Sequence, residues 1–514
     1  MSELTPKTRT LVILLAIVLH LVIAIPMAWM LNIWVDEAST LYATQHGFLT
    51  AFQTAAIEQK QAPLYFWILS VWRYLGESIF FARLFSIICS LFAIKLFAGL
   101  AQRLFSPAAA LMLTLFLAFH PYLIWASVEI RVYSLVILLS VVLLRLFFEG
   151  FGNDDRTEPH SSLLYPKVWF LFAVIISLYT NYYLGFVIAG LGASLLVSGK
   201  WRDVRTFTLL MVVAGIAFFP MILVMRAEFM AKTGGFLEER TVLDGIQTIW
   251  NHTLTFILPT EIFPGSERSA VSLVRIWIVR FTIVLIATMA AVKYKQITQN
   301  TITLGCIAAV TGLFFFGAYF VVGPSYIVIR HASMLFVPLV LFLASIIADT
   351  LGNMRPERKK IAAFALGVVV LASFSYATVH LFPNMTKRGD WVRVGEFIQQ
   401  NESPGQPIVV FITYEALALR YNYSGVNRVL PDDRFFEYGP EATPGSPDSL
   451  KREIAFVIST IPADAEHLWL AVGEKCTTTE ACIPLQNYIE ANYTIETEKD
   501  FYQERLYLLK KKHQ

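Results

Sequence analysis

A multi-pass α-helical membrane protein of about eleven spans, followed by a small extracytoplasmic α/β domain, is the fold class that three features of this 514-residue sequence predict. Hydrophobic residues make up 56% of the chain and charged residues only 15%, against roughly 25% charged in an ordinary soluble protein. Apolar runs close to the ~20 residues that cross a bilayer recur along the first three quarters of the chain. Charge then rises: residues 381–514 hold 33 charged positions out of 134, whereas the first 380 residues hold 46. The division predicts a membrane domain over 1–385 and a soluble domain over 386–514. With 41 basic against 38 acidic residues, the net charge of +3 supplies no footprint for nucleic acid.

The first span lies in the charge-free stretch between Arg9 and Asp36, too long and without a small-residue cleavage site for a removable signal peptide. Further spans are expected near 79–101, 105–126, 130–148, 168–181, 184–199, 206–226, 272–292, 301–322, 332–349 and 361–381. The run from Val168 to Gly199 divides into a hairpin turning at Asn181, Tyr182 and Tyr183, because only that choice keeps the basic loops on one side. With the N-terminus cytoplasmic, Lys7, Arg9, Arg103, Arg145, Arg156, Lys167, Lys200, Arg202, Arg205, Lys293, Lys295, Arg355, Arg358, Lys359 and Lys360 all fall inside. Arg131 and Arg330 alone occupy short outside loops. An odd number of spans then places the tail outside the plasma membrane, in the periplasm of a bacterium.

Two long loops, 33–78 and 227–271, also fall outside. In the first, Pro63 to Trp72 is apolar but too short to span, and is expected to form a helix on or dipping into the outer leaflet, with Trp67 and Trp72 at the interface. In the tail, helical patterns over Val392–Gln400, Leu450–Ser459 and Leu485–Ala491 alternate with strand patterns over Ile408–Ile412, Leu468–Val472 and Tyr502–Leu509. Cys89 and Cys306 sit in apolar runs as small buried hydrophobes. Cys476 and Cys482 lie close together in the tail and would pair in an oxidising compartment.

Charged residues at the outer boundary are the candidates for chemistry. Asp36 and Glu37 end the first span, Glu129 and Arg131 interrupt apolar sequence before the fourth, and Tyr326, Arg330 and His331 precede the tenth. Carboxylates at a bilayer boundary are commonly just solvated, and a cation there commonly snorkels to headgroups. Their shared side of the membrane favours a polar cavity instead. A carboxylate can take the proton of an attacking hydroxyl, and an arginine can neutralise a departing phosphate. No Walker loop, dinucleotide fingerprint, HExxH or GxSxG motif accompanies them.

The order of these motifs resembles the integral-membrane glycosyltransferases of the C-type superfamily, especially the protein O-mannosyltransferase and aminoarabinose transferase group. The likeness is carried by the Asp36-Glu37 pair, Ala62-Pro63-Leu64-Tyr65-Phe66, Ala82-Arg83-Leu84-Phe85-Ser86, Glu129-x-Arg131-x-Tyr133, and the Lys387–Trp391 stretch before the tail. It implies an inverting transfer of sugar from a polyprenyl-phosphate donor to a hydroxyl acceptor at the outer face of the inner membrane. Asp36 would be the catalytic carboxylate, with Glu37 its companion and Glu129 a second acid. Arg131, Tyr133, Arg330 and His331 would bind substrate. The family's usual Pro-Pro or Lys-Pro before the loop helix is replaced by Gln61-Ala62-Pro63, leaving Gln61 and Lys60 as the nearest polar substitutes. Some relatives hold a divalent metal near the acidic residues and others none. No His or Cys cluster here has ligand spacing, and His252 reads as a loop histidine. A lipid-sugar flippase would need inverted repeats and broken helices, which the sequence does not display. A non-catalytic glycan-assembly subunit would need only one span as an anchor.

Overall fold

The computed structural model describes residues 6–45, 47–55, 61–152, 160–233, 241–259, 277, 281, 297–322, 327–432, 447–473 and 482–512. The expected span over 272–292 therefore lies outside the described residues, apart from positions 277 and 281. The chain divides into two compact units. The first comprises Met1–Ala28, His46–Thr233 and Glu238–Leu381; the second includes Trp29–Gln45 and Phe382–Gln514.

Helices in order are α1 (Pro6–Met30), α2 (Val35–Thr44), α3 (Phe48–Gln53), α4 (Leu64–Arg73), α5 (Ile79–Leu104), α6 (Pro107–Ala118), α7 (Pro121–Ser127) and α8 (Tyr133–Phe151). They continue with α9 (His160–Thr180), α10 (Leu184–Val197), α11 (Trp201–Thr233), α12 (Val242–Ile257), α13 (Gln299–Val322), α14 (Ser333–Gly352) and α15 (Pro356–Val379). Seven of those described are long and apolar enough to cross a bilayer, and an eighth span is formed if α6 and α7 count as one. The shorter α9 and α10 are apolar as well. This is a multi-pass integral membrane protein.

Burial within the first unit explains which helices are central. Leucines, valines and phenylalanines of α8 are buried on nearly all sides, whereas α1 buries only a stripe of Ala16, His20, Ala24 and Ala28 at every fourth position. Small residues let α1 approach its neighbour closely, and the His20 Nδ1 meets the Ala118 carbonyl at 2.8 Å. Leu11, Leu14, Leu15, Val18 and Val22 on the remaining faces are exposed, as a surface solvated by lipid requires.

Hydroxyl groups inside these helices bond back to their own turns: Ser90 to the Ser86 carbonyl, Ser140 to Val136 and Thr311 to Ile307. Between α6 and α7 the span expected over 105–126 is bent by 51°. The cause is Pro121, which cannot donate to the helix ladder, and His120 seals the break. Its Nδ1 accepts from the Tyr122 N–H (3.1 Å), so the neutral ring carries its proton on Nε2, which donates to the Phe256 carbonyl (3.1 Å). The run from Val168 to Gly199 turns at Asn181–Tyr183, where Asn181 Oδ1 accepts from the Tyr183 N–H at 3.0 Å. In the first long loop, the helix expected over Pro63–Trp72 is α4, Leu64–Arg73. Trp72 does not simply face an interface, since its ring stacks on Phe81 at 4.8 Å and its N–H donates to the Phe81 carbonyl (2.8 Å).

The second unit carries a five-stranded mixed sheet. After α16 (Trp391–Asn401), capped by Asp390, come β1 (Ile408–Phe411), α17 (Glu415–Asn422), β2 (Val429–Leu430) and α18 (Pro447–Thr460). β3 (His467–Gly473), α19 (Ile483–Asn492), β4 (Tyr493–Phe501) and β5 (Glu504–Lys511) complete it. The strand order is β2-β1-β3-β5-β4, with β1 parallel to β2 and β3, and β5 antiparallel to β3 and β4. Every residue of β1 is buried, as expected of a strand covered on both faces. The core gathers Val409, Phe411, Leu470, Val472, Ile454 and Val457. α17, β2 and β4 were not expected from the sequence. β4 reads as polar because it is the sheet edge, and Glu496, Glu498, Lys499 and Asp500 there oppose pairing with a further strand.

Close packing in the membrane unit makes opposite outcomes for two glycines testable. A Cβ at Gly190 would stand 2.7 Å from the Ile307 carbonyl oxygen of α13, whereas one at Gly215 would meet nothing within 4 Å. Gly215→Ala should stabilise by up to about 1 kcal/mol through helix propensity. Gly190→Ala should cost about 1–3 kcal/mol by overpacking. Unfolding of the two variants in one detergent reads both signs.

Candidate functional site

In the second unit, α1 ends and the chain runs extended through Leu31–Trp34 before α2 starts. Asp36 and Glu37 therefore occupy the first turn of α2, where unpaired backbone N–H groups favour negative charge. The two neighbours differ in environment. Glu37 is fully buried and its Oε1 accepts from the Lys387 ammonium at 2.7 Å, with the Lys387 side chain only 2% exposed. The Phe382 ring lies 6.0 Å from the same ammonium. Asp36 is half-buried, and its carbonyl accepts from the Thr40 hydroxyl at 2.9 Å.

The extended stretch ahead of α2 is sewn to the chain that leads into the tail. Asn32 Oδ1 accepts from the Lys387 backbone N–H (2.6 Å), and Asn32 Nδ2 donates to the Gly389 carbonyl (2.6 Å). Trp34 receives the Arg388 guanidinium at 5.7 Å from its ring, and Asn422 Nδ2 reaches the Ile33 carbonyl at 3.3 Å. Tyr414 precedes α17, which packs on α2. Its phenol pKa is raised by burial first, then by the charges of Glu415, Glu453 and Asp36, so it keeps its proton at neutral pH.

In the first unit, Glu129, Arg131 and Tyr133 occupy the joint between α7 and α8. The sequence left open a simple exposed turn, but Glu129 and Ile130 are buried and Tyr133 is 3% exposed, stacked on Trp125 at 4.9 Å. The Ser86 hydroxyl donates to the Glu129 carbonyl at 2.6 Å. Arg83, wholly buried, donates to the Ala28 carbonyl at 2.9 Å. The Ala82–Ser86 motif thus fastens backbone segments around the start of α5.

Arg330 and His331 sit in a 3-10 turn, Ile329–Ala332, leading into α14. Three side chains hold its backbone. His252 Nε2 bonds the Ile327 carbonyl (2.9 Å), the Tyr122 hydroxyl donates to the Ile329 carbonyl (3.1 Å), and Ser333 Oγ donates to the Arg330 carbonyl (2.6 Å). The Tyr122 and Ser333 oxygens also stand 2.6 Å apart; with the Ser333 proton on the Arg330 carbonyl, the single Tyr122 proton is shared between the Ile329 carbonyl and Ser333 Oγ. His252, expected as a loop histidine, is a helix residue of α12 whose pKa is lowered by burial. The His331 ring stands 6.2 Å from Tyr183. Gln61 is half-buried and its N–H donates to the Ala55 carbonyl at 2.7 Å. Lys60, Tyr326 and Cys476 lie outside the described residues. Cys482 is disulfide-bonded, whereas Cys89 and Cys306 are free.

Among the described residues no three His, Cys, Asp or Glu side chains gather as a metal-binding set, and Glu37 is committed to Lys387. No step is therefore derived through a metal. Sequence reasoning missed Asn32 and Tyr414 as neighbours of the acidic pair, and gave Lys387 no part in the site. Lys387 entered only as part of the Lys387–Trp391 stretch that carries the resemblance at the entry to the tail.

Neither a protein-family model nor a curated protein matches the chain. Solved structures do. ArnT from Cupriavidus metallidurans bound to undecaprenyl phosphate superposes with a TM-score of 0.56 at 12% identity, over 98% of this chain and 98% of that one. The Archaeoglobus fulgidus oligosaccharyltransferase tethered with an acceptor peptide containing the NVT sequon gives 0.55 at 10% identity, over 98% of this chain and 74% of that one. The oligosaccharyltransferase AglB of the same organism, in complex with an inhibitory peptide and a dolichol-phosphate, gives 0.52 at 11% identity, over 95% and 73%. The chain thus shares its fold with a protein solved with undecaprenyl phosphate and with an archaeal oligosaccharyltransferase.

The pinned turn before α14 can be tested by stability. Tyr122→Phe and Ser333→Ala should each cost about 1–3 kcal/mol, because each leaves a buried acceptor unsatisfied. The double variant should cost less than the sum, since the two act in one chain of bonds. A double-mutant cycle from thermal unfolding measures the coupling.

Proposed function

We propose that this protein transfers a sugar from a polyprenyl-phosphate donor to a hydroxyl acceptor, with inversion, at the extracytoplasmic face of the membrane. The observation that carries the proposal is the match over 98% of both chains to a structure bound to undecaprenyl phosphate. The disulfide at Cys482 supports an oxidising location for the tail. The broken span at Pro121 is one feature that a flippase would need and the sequence did not display, but the oligosaccharyltransferases that share this fold do not favour that alternative.

In this reading Asp36 is the general base. Its carboxylate accepts the acceptor's hydroxyl proton as that oxygen bonds to the anomeric carbon. The bond from that carbon to the phosphate oxygen breaks with its electron pair on oxygen, and polyprenyl phosphate leaves. The partial exposure of Asp36, beside a Glu37 that is fully buried against Lys387, supports the assignment. Arg131 and Arg330 neutralise the departing phosphate, with Lys60, Gln61, Tyr133 and His331 as further substrate contacts. Glu129 is the second acid.

Asp36→Asn keeps size and hydrogen-bonding capacity while abolishing proton acceptance. Transfer should fall by roughly 10²–10⁴-fold with donor binding retained. A wild-type rate in a radiolabelled-sugar assay would move the base assignment to Glu129. Arg131→Gln and Arg330→Gln should instead weaken donor binding by about 1.5–3 kcal/mol each, the worth of a charge-assisted hydrogen bond. Lipid-binding titrations that show unchanged affinity in both would return these arginines to the role of headgroup contacts.

A further inference from the structure

We infer that Lys387 is a positioning residue: through its buried ion pair with Glu37 it fixes the first turn of α2 and hence the direction in which Asp36 points. The inference deepens the proposed reaction and rests on Asp36 as its base.

Four observations meet at this turn. Glu37 and Lys387 are 350 residues apart in sequence, yet their charged atoms stand 2.7 Å apart, with side chains 0% and 2% exposed. Water scarcely reaches either group, so removing one partner takes the closest countercharge from a group that stays desolvated. Second, Asn32 spends both ends of its amide on the backbone flanking Lys387, accepting from Lys387 N–H and donating to Gly389 C=O, each at 2.6 Å. The lysine is thus held at its backbone as well as at its tip. Third, the helix begins at once: the Ala38 N–H donates to the Trp34 carbonyl at 3.0 Å. Fourth, the Thr40 hydroxyl closes on the Asp36 carbonyl at 2.9 Å, and the Thr44 hydroxyl on the Thr40 carbonyl at 2.9 Å. Consecutive helical residues point about 100° apart, so a buried Glu37 dictates where Asp36 projects. A rotation of α2 that released Glu37 would carry Asp36 with it.

The rival role for Lys387 is direct: a cation that leaves Glu37 to meet the donor phosphate. Charge-neutral replacement of both partners separates the two roles, because a positioning pair is replaceable by a neutral pair of similar shape and a phosphate ligand is not. Lys387→Met and Glu37→Gln should each lower kcat on the order of 10²-fold with donor KM nearly unchanged, the scale expected when a catalytic group is displaced by about 1 Å. The double variant Glu37→Gln/Lys387→Met should recover to within about ten-fold of wild type, since the two opposite charges are then removed together. A double variant as slow as Lys387→Met, or Lys387→Met at the wild-type rate, overturns the inference.

Hydrogen–deuterium exchange over Val35–Thr44 gives a readout that does not depend on turnover. Exchange there should accelerate in Lys387→Met and return toward wild type in the double variant. Unchanged exchange in Lys387→Met overturns the pinning even if the protein proves to be no transferase. A wild type without transferase activity whose exchange follows the expected pattern overturns only the reaction.

Discussion

Hydrocarbon offers no water to an unsatisfied polar group, and the polar residues in the first unit are arranged around that constraint. Serine and threonine hydroxyls turn back on carbonyls of their own helices. Where the helix ladder fails at Pro121, His120 supplies one acceptor to Tyr122 and one donor to Phe256. Where irregular backbone precedes α14, Tyr122, His252 and Ser333 satisfy three carbonyls in four residues. These segments hold Arg330 and His331, and the joint between α7 and α8 holds Glu129 and Arg131. Irregular chain between apolar helices is tolerated where protein groups satisfy its backbone, and these joints carry the charged side chains.

The acidic pair in the second unit follows the same logic with full charges. Removing one partner from a buried ion pair commonly costs about 3–5 kcal/mol, because the remaining charge stays desolvated. The Glu37–Lys387 pair is therefore a strong constraint on local geometry whatever its net contribution to stability. One carboxylate of the two is paired with Lys387, and its neighbour Asp36 is half-buried, as the proposed base requires.

Much of the membrane architecture was legible in the sequence because hydropathy acts over whole spans. Among the described residues, charge-free runs gave most helices within about five residues of their bounds, but α9 starts at His160 rather than 168 and α11 ends at Thr233 rather than 226; charge bias identified the turn at Asn181–Tyr183. The bend at Pro121 was less visible, since both halves are equally apolar. In the tail, α16, β1, α18, β3, α19 and β5 carry buried apolar residues at their proper period and were expected. β4 was hidden because an edge strand satisfies solvent more than a core. Asp36, Glu37, Glu129 and Arg131 stood out as charges where apolar sequence ends, which is a local signal. The partnership of Glu37 with Lys387 spans 350 residues. Nothing local in either residue reveals the other, and Lys387 looks in sequence like any basic residue flanking a span.

The central claim is that the bound polyprenyl-phosphate sugar is cleaved and its sugar transferred, and the most direct measurement follows the fate of the lipid. Purified protein in vesicles would be given a polyprenyl-phosphate sugar together with a hydroxyl acceptor, and both lipid and acceptor analysed by mass spectrometry and anomeric NMR. The account predicts polyprenyl monophosphate and glycosylated acceptor appearing in equal amounts, with the anomeric configuration inverted relative to the donor. Intact sugar-lipid moved from one leaflet to the other, with no free polyprenyl phosphate formed, would contradict it.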